Sequence, residues 1–136
     1  LDRAMELLSK GHELSPKHIS INQLRDQLKH QVLTPEEKLL AQLELVKKSP
    51  TADNYINLSL MQYNLKDFDA CIASCQQALN LDPQNAIAYN NICSAYNAMR
   101  QWEKAAVACR KALEIDPDFE RARNNLNWSL SEMKSK

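Results

Sequence analysis

From Thr51 onward the apolar residues recur every three or four positions, in runs interrupted at "LKDFD" and "MRQWE" and closed by Asp-Pro. That spacing gathers them on one face of a helix, and proline cannot continue one. The pattern also repeats itself: the segment starting at Ala52 overlays the segment starting at Ala86 without a gap, at an offset of 34 residues. Tyr55 falls on Tyr89, Leu58 on Ile92, Phe68 on Trp102, Cys75 on Cys109, and Asp82-Pro83 on Asp116-Pro117. Each unit therefore reads as two helices joined by a tight turn.

The pattern resembles the tetratricopeptide repeat. Tyr89 stands where that motif prefers tryptophan and Ile92-Cys93 where it has leucine-glycine, while Tyr96, Ala105 and Pro117 agree with it. The first full unit departs more, with Ser59 in the glycine slot, Gln62 in the tyrosine slot and Cys71 in the alanine slot. The resemblance implies an all-α fold, a right-handed superhelical solenoid of antiparallel helix pairs, with the first helix of each unit lining the concave surface.

The same ruler extends in both directions. Residues 1–16, with Ala4, Gly11 and Pro16 at matching spacing, read as the second helix of a truncated repeat, so the chain is expected to begin inside a longer array. Residues 17–50 read as a degenerate helical pair: Ile21, Leu24, Leu28 and Val32 share one face, and Thr34, Pro35 and Glu37 form a capping signal for the next helix. Full repeats follow at 51–84 and 85–118, and 119–136 overlays only a first helix, the usual cap of a solenoid. All of these are expected to form one solenoid domain.

Composition removes several function classes. The chain has 136 residues, 44% hydrophobic and 25% charged, with seventeen basic residues balancing seventeen acidic ones. No global field draws it to nucleic acid, and no apolar run is long enough for membrane insertion. Gly11 is the one glycine, too few for a phosphate-cradling loop. Cys71, Cys75, Cys93 and Cys109 show no metal-ligand spacing. They are read as buried structural thiols, with a bridge from Cys71 or Cys75 to Cys93 as the alternative in an oxidising compartment. His12, His18 and His30 have no evident partner and are read as facing solvent. No cofactor, metal site or catalytic constellation is expected, and the chain is not read as an enzyme.

The asparagines carry the functional question. Asn57, Asn91 and Asn125 occupy one position in three successive units, with Asn90 and Asn124 preceding two of them. Asparagine is a poor interior helix residue, so its recurrence has another cause. One reading is structural, with the amides tying neighbouring helices together. The other follows from the resemblance: amides at regular intervals along the concave surface pair with the backbone of an extended peptide, a ladder similar to that in the repeat domain of the O-linked N-acetylglucosamine transferase. Asn97 and Arg121 would share this groove, and Tyr63 would serve as an anchor.

A carboxylate clamp, the device by which chaperone adaptors of this family hold an acidic C-terminus, is not expected. Asn91 and Arg121 fit it, but Ile56, Leu60 and Asn125 stand where it needs lysine, asparagine and arginine. The expected function is a scaffold binding a protein or peptide in its groove. The alternative is self-association as a homo-oligomer, or docking within a larger protein, as an accessory to a catalytic domain outside this chain.

Overall fold

The computed structural model describes residues 33–135. The chain divides into two compact units, Leu1–Ala41 and Gln42–Lys136. This boundary falls inside the segment 17–50 that the sequence presents as one helical pair. The helix expected over 1–16, the first half of that pair, and the three histidines lie outside the described residues.

Six helices and no strand occur among the described residues: α1 (Pro35–Lys48), α2 (Ala52–Asn64), α3 (Phe68–Leu81), α4 (Ala86–Ala98), α5 (Trp102–Ile115) and α6 (Glu120–Lys134). Their starts are chemically marked, because a side-chain oxygen at the cap satisfies an orphan backbone N–H of the first turn. Thr34, Thr51, Asp67 and Asn85 each accept from the backbone N–H three residues ahead. Thr34 also donates its hydroxyl to Glu37 Oε1 at 3.1 Å. The caps Gln101 and Phe119 make no such side-chain bond.

The turns between the helices of each hairpin use a left-handed residue where glycine is usual. Lys66 has φ 64° and Arg100 φ 60°, at equivalent positions of the two repeats. The turns close when Asp67 N–H donates to Gln62 O and Gln101 N–H to Tyr96 O, each at 2.9 Å. Both helix C-termini thereby regain a carbonyl partner.

In the second unit each helix from α2 to α6 packs on the next, and the first helices α2, α4 and α6 also touch in series. Small residues make this approach possible: Cys71, Cys75, Ala78, Ala88, Cys93, Ala95, Ala105, Cys109 and Ala112 are all buried, with Ile56, Ile72 and Ile92 filling between them. Tyr55, Tyr63, Phe68, Tyr96 and Leu126 close the core from its edges. At the start of this unit Gln42 Nε2 donates to Asn54 O at 2.9 Å, and Asn54 Nδ2 donates to Ser49 O at 2.8 Å, fixing the turn between α1 and α2.

The cysteines depart from expectation. Cys93 and Cys109 form a disulfide joining α4 to α5. Cys71 and Cys75 remain free and buried. The bridge forms within one hairpin rather than between repeats, because these two positions face each other across the pair with Cα atoms 5.4 Å apart.

Candidate functional site

Two adjoining cavities run along the first helices. The smaller, about 210 Å³, is lined by Leu60, Tyr63 and Asn64 of α2, Cys71 of α3, Asn90, Asn91 and Ser94 of α4, and Arg121 of α6. The larger, about 640 Å³, takes in Ile87, Asn90 and Asn91, then Asp116, Phe119, Glu120, Arg121 and Asn124. Asn90, Asn91 and Arg121 belong to both, so the cavities form one continuous groove. Leu60 and Ile87 are 43% and 52% exposed on it, apolar surface that the fold leaves uncovered.

The candidate residues divide by what their amides already do. Asn125 donates Nδ2 to Asn90 Oδ1 at 2.9 Å and to Ser94 Oγ at 3.0 Å, using both amide hydrogens. Asn97 donates Nδ2 to Asn125 O at 3.1 Å and accepts from Ser129 Oγ at 2.6 Å. It is 1% exposed and lines neither cavity, so it does not share the groove as the helical spacing suggested. Asn90 is 2% exposed, in the groove floor rather than standing into the groove. Asn91 donates Nδ2 to Ser59 Oγ at 3.3 Å and is buried, yet still faces both cavities.

Asn57, Asn124 and Arg121 are exposed, and Arg121 and Asn124 line the groove. Tyr63 is half-buried, its ring edge-on to Phe68 at 5.3 Å between centroids. The three ladder positions are thus not equivalent in use: one is exposed, one half-engaged, one fully engaged. The polar partners on the preceding first helix, Ser59 for Asn91 and Asn90 with Ser94 for Asn125, produce this difference. Periodicity alone does not reveal such partners, although Ser59 and Ser94, two and three residues past the equivalent asparagine of the preceding helix, were a visible signal.

Beneath the smaller cavity lies a thiol pair one helical turn apart. Cys71 hydrogen-bonds to Cys75, which together with burial pushes the Cys71 thiol well above its ordinary range. The same bond holds the Cys75 thiol below its ordinary range, against the opposing effect of burial. Cys71 forms part of the groove floor as a neutral, apolar surface. Among the described residues no cluster of three histidine, cysteine or acidic side chains is placed to hold a metal ion. No helix of the described residues is long and apolar enough to cross a membrane.

Models of the tetratricopeptide repeat match residues 52–85 and 86–119. The chain belongs to the tetratricopeptide repeat family. Solved repeat domains share its fold. The first tetratricopeptide domain of Spaghetti (RPAP3), bound to the HSP90 peptide SRMEEVD, is 21% identical with a TM-score of 0.70, over 98% of this chain and 94% of that one. The TPR2B domain of yeast Sti1, in complex with pHsp70, is 17% identical with a TM-score of 0.68, over 96% of each chain. The O-GlcNAc transferase of Thermobaculum terrenum is 22% identical with a TM-score of 0.65, over 93% of this chain and 22% of that one. No curated protein matches the sequence. At these identities the likeness concerns the all-α solenoid itself.

Proposed function

We propose that this tetratricopeptide repeat chain is a protein-interaction scaffold that takes an extended peptide along the groove of α2, α4 and α6. The observation carrying this reading is the continuity of the two cavities through Asn90, Asn91 and Arg121, with Leu60 and Ile87 exposed beside them. Such a groove offers apolar contact at two points and a cation, Arg121, shared by both cavities. An apolar side chain of the peptide would rest on Leu60 and Tyr63, and Arg121 would take a backbone or side-chain oxygen. Asn124 and the remaining capacity of Asn91 would pair with the peptide backbone, with exposed Asn57 extending the strip.

The structural neighbours support a groove of this kind, since one of them holds an HSP90 peptide and another is in complex with pHsp70. The side chains argue for a less anionic ligand here. Ile56 is buried, Leu60 is apolar and Asn125 has spent its amide, so Arg121 is the only cation among the lining residues of either cavity. Charge-assisted pairing to several carboxylates needs more than one. Ordering an extended segment costs conformational entropy, so binding should be moderate.

Selection from a displayed library of unstructured peptides tests this reading. The native chain should enrich sequences with a recurrent apolar residue, and the doubly substituted L60D/R121A chain, folded by circular dichroism, should not retain them. Equal capture by both chains would refute the groove.

A further inference from the structure

The opposite, outer face of the second repeat carries a separate feature. A cleft of about 260 Å³ between α4 and α5 is lined by Tyr89, Ile92, Tyr96, Lys104, Val107, Ala108 and Lys111. Tyr89 and Tyr96 are two turns apart on α4, as are Lys104 and Lys111 on α5. Because the helices are antiparallel, Lys111 Nζ lies 5.6 Å from the Tyr89 ring centre and Lys104 Nζ 5.8 Å from that of Tyr96. The rings hold each ammonium by cation–π attraction while leaving its N–H donors free to point outward. Between the two pairs Val107 is 55% exposed over a floor of Ile92 and Ala108.

The first repeat serves as an internal control. At the same offset it has Ala70 and Gln77 in place of the lysines, Ala73 in place of Val107 and Gln62 in place of Tyr96. There Ser74 Oγ donates to Gln62 Oε1 at 2.6 Å, closing the position with a hydrogen bond. The repeat scaffold therefore does not require the lysines, the exposed valine or the second tyrosine. The charged side chains lining the cleft are both cationic, and Glu103 and Glu114 of the same helix are not among its lining residues.

We propose that this outer cleft binds an acidic amphipathic helix whose two carboxylates, two turns apart, bracket an apolar residue. The spacing selects the helix: Lys104 and Lys111 are about 10.5 Å apart along α5, the rise of seven helical residues, so carboxylates at i and i+7 meet both. An apolar residue at i+3 or i+4 then lies over Val107. In an extended strand, side chains at that distance point to opposite faces. The inference does not rest on the peptide groove, which lies along the first helices.

The probe is a capped helical peptide with glutamates seven residues apart and leucine between them, titrated into the full 15N-labelled chain. Saturable amide shifts are expected at Lys104, Val107, Ala108 and Lys111. Charge reversal in K104E/K111E, at two exposed side chains, should weaken binding about tenfold or more, and added salt should weaken it in the native chain. The groove variant L60D/R121A should bind the probe as the native chain does. No saturable shift at about 1 mM peptide, or binding indifferent to K104E/K111E, would overturn the proposal. Tighter binding of an unstructured acidic peptide of the same composition would overturn it as well.

Discussion

The two full repeats share a 34-residue pattern but are fastened differently. In the second, Cys93 and Cys109 are joined covalently. At the same offset the first has Ser59 and Cys75, where the serine hydroxyl lies within hydrogen-bonding reach of a free thiol. The second repeat is also tied to α6 through Asn90, Ser94, Asn97, Asn125 and Ser129, whereas α2 meets α4 through the single side-chain bond from Asn91 to Ser59. This unequal fastening has a physical reason. α6 has no described second helix packed behind it and fully buries only Ala122 and Ser129, so directional hydrogen bonds fix its register where apolar burial is scarce.

The largest test of the contrast is covalent. Breaking the bridge, by reductant or in C93A/C109A, should lower unfolding free energy by about 3 kcal/mol, the chain-entropy value for a loop of this size. Urea denaturation with and without reductant measures it, and C71A/C75A should leave the reductant effect intact. The converse substitution S59C should give Cys75 a bridging partner in the first repeat. It would raise stability by about 2 kcal/mol, less than the full loop value because the Asn91 bond is lost. Titration of thiols under denaturing conditions should then find one where the native chain has two.

Next in size is the hydrogen-bond network. N97A would delete two hydrogen bonds and a buried side chain, leaving the Ser129 hydroxyl its 3.0 Å bond to Asn125 O, and should cost about 2 kcal/mol, whereas Q62A, at the part-buried pair of the first repeat, should cost about 1 kcal/mol or less. Denaturation midpoints at equal slope distinguish the two. The smallest effect concerns the left-handed turn residues that both repeats share. K66G and R100G should each stabilise by about 0.5 kcal/mol, because relief of the positive φ is partly offset by the greater freedom of glycine in the unfolded chain. A difference between the two substitutions would show that the turns are not equivalent.

Much of the fold was legible in the chain because the offset of 34 residues carries apolar spacing, turn position and Asp-Pro closure together. The breaks at "LKDFD" and "MRQWE" are the turns at Lys66 and Arg100, and the cap at Thr34 was visible in the Thr-Pro-Glu-Glu run. What the chain did not show was which polar groups face each other across helices. Asn91 and Asn125 look identical in the repeat, yet only Asn125 has both Asn90 Oδ1 and Ser94 Oγ within reach. Asn97 shares the spacing of a groove residue but faces Ser129. The disulfide was hidden for the same reason: pairing depends on which positions of one hairpin face each other, and Cys75 and Cys109 are equivalent by sequence while only the latter faces a cysteine on the first helix of its hairpin.

The central claim is that the groove through Asn90, Asn91 and Arg121 is where this scaffold holds a peptide. Amide-shift mapping on the labelled chain, with a peptide selected by the native protein, tests it most directly. Saturable shifts along Leu60, Asn64, Ser94, Arg121 and Asn124, lost in L60D/R121A, are the predicted result. Shifts that leave those residues still while the peptide binds elsewhere on the chain would contradict it.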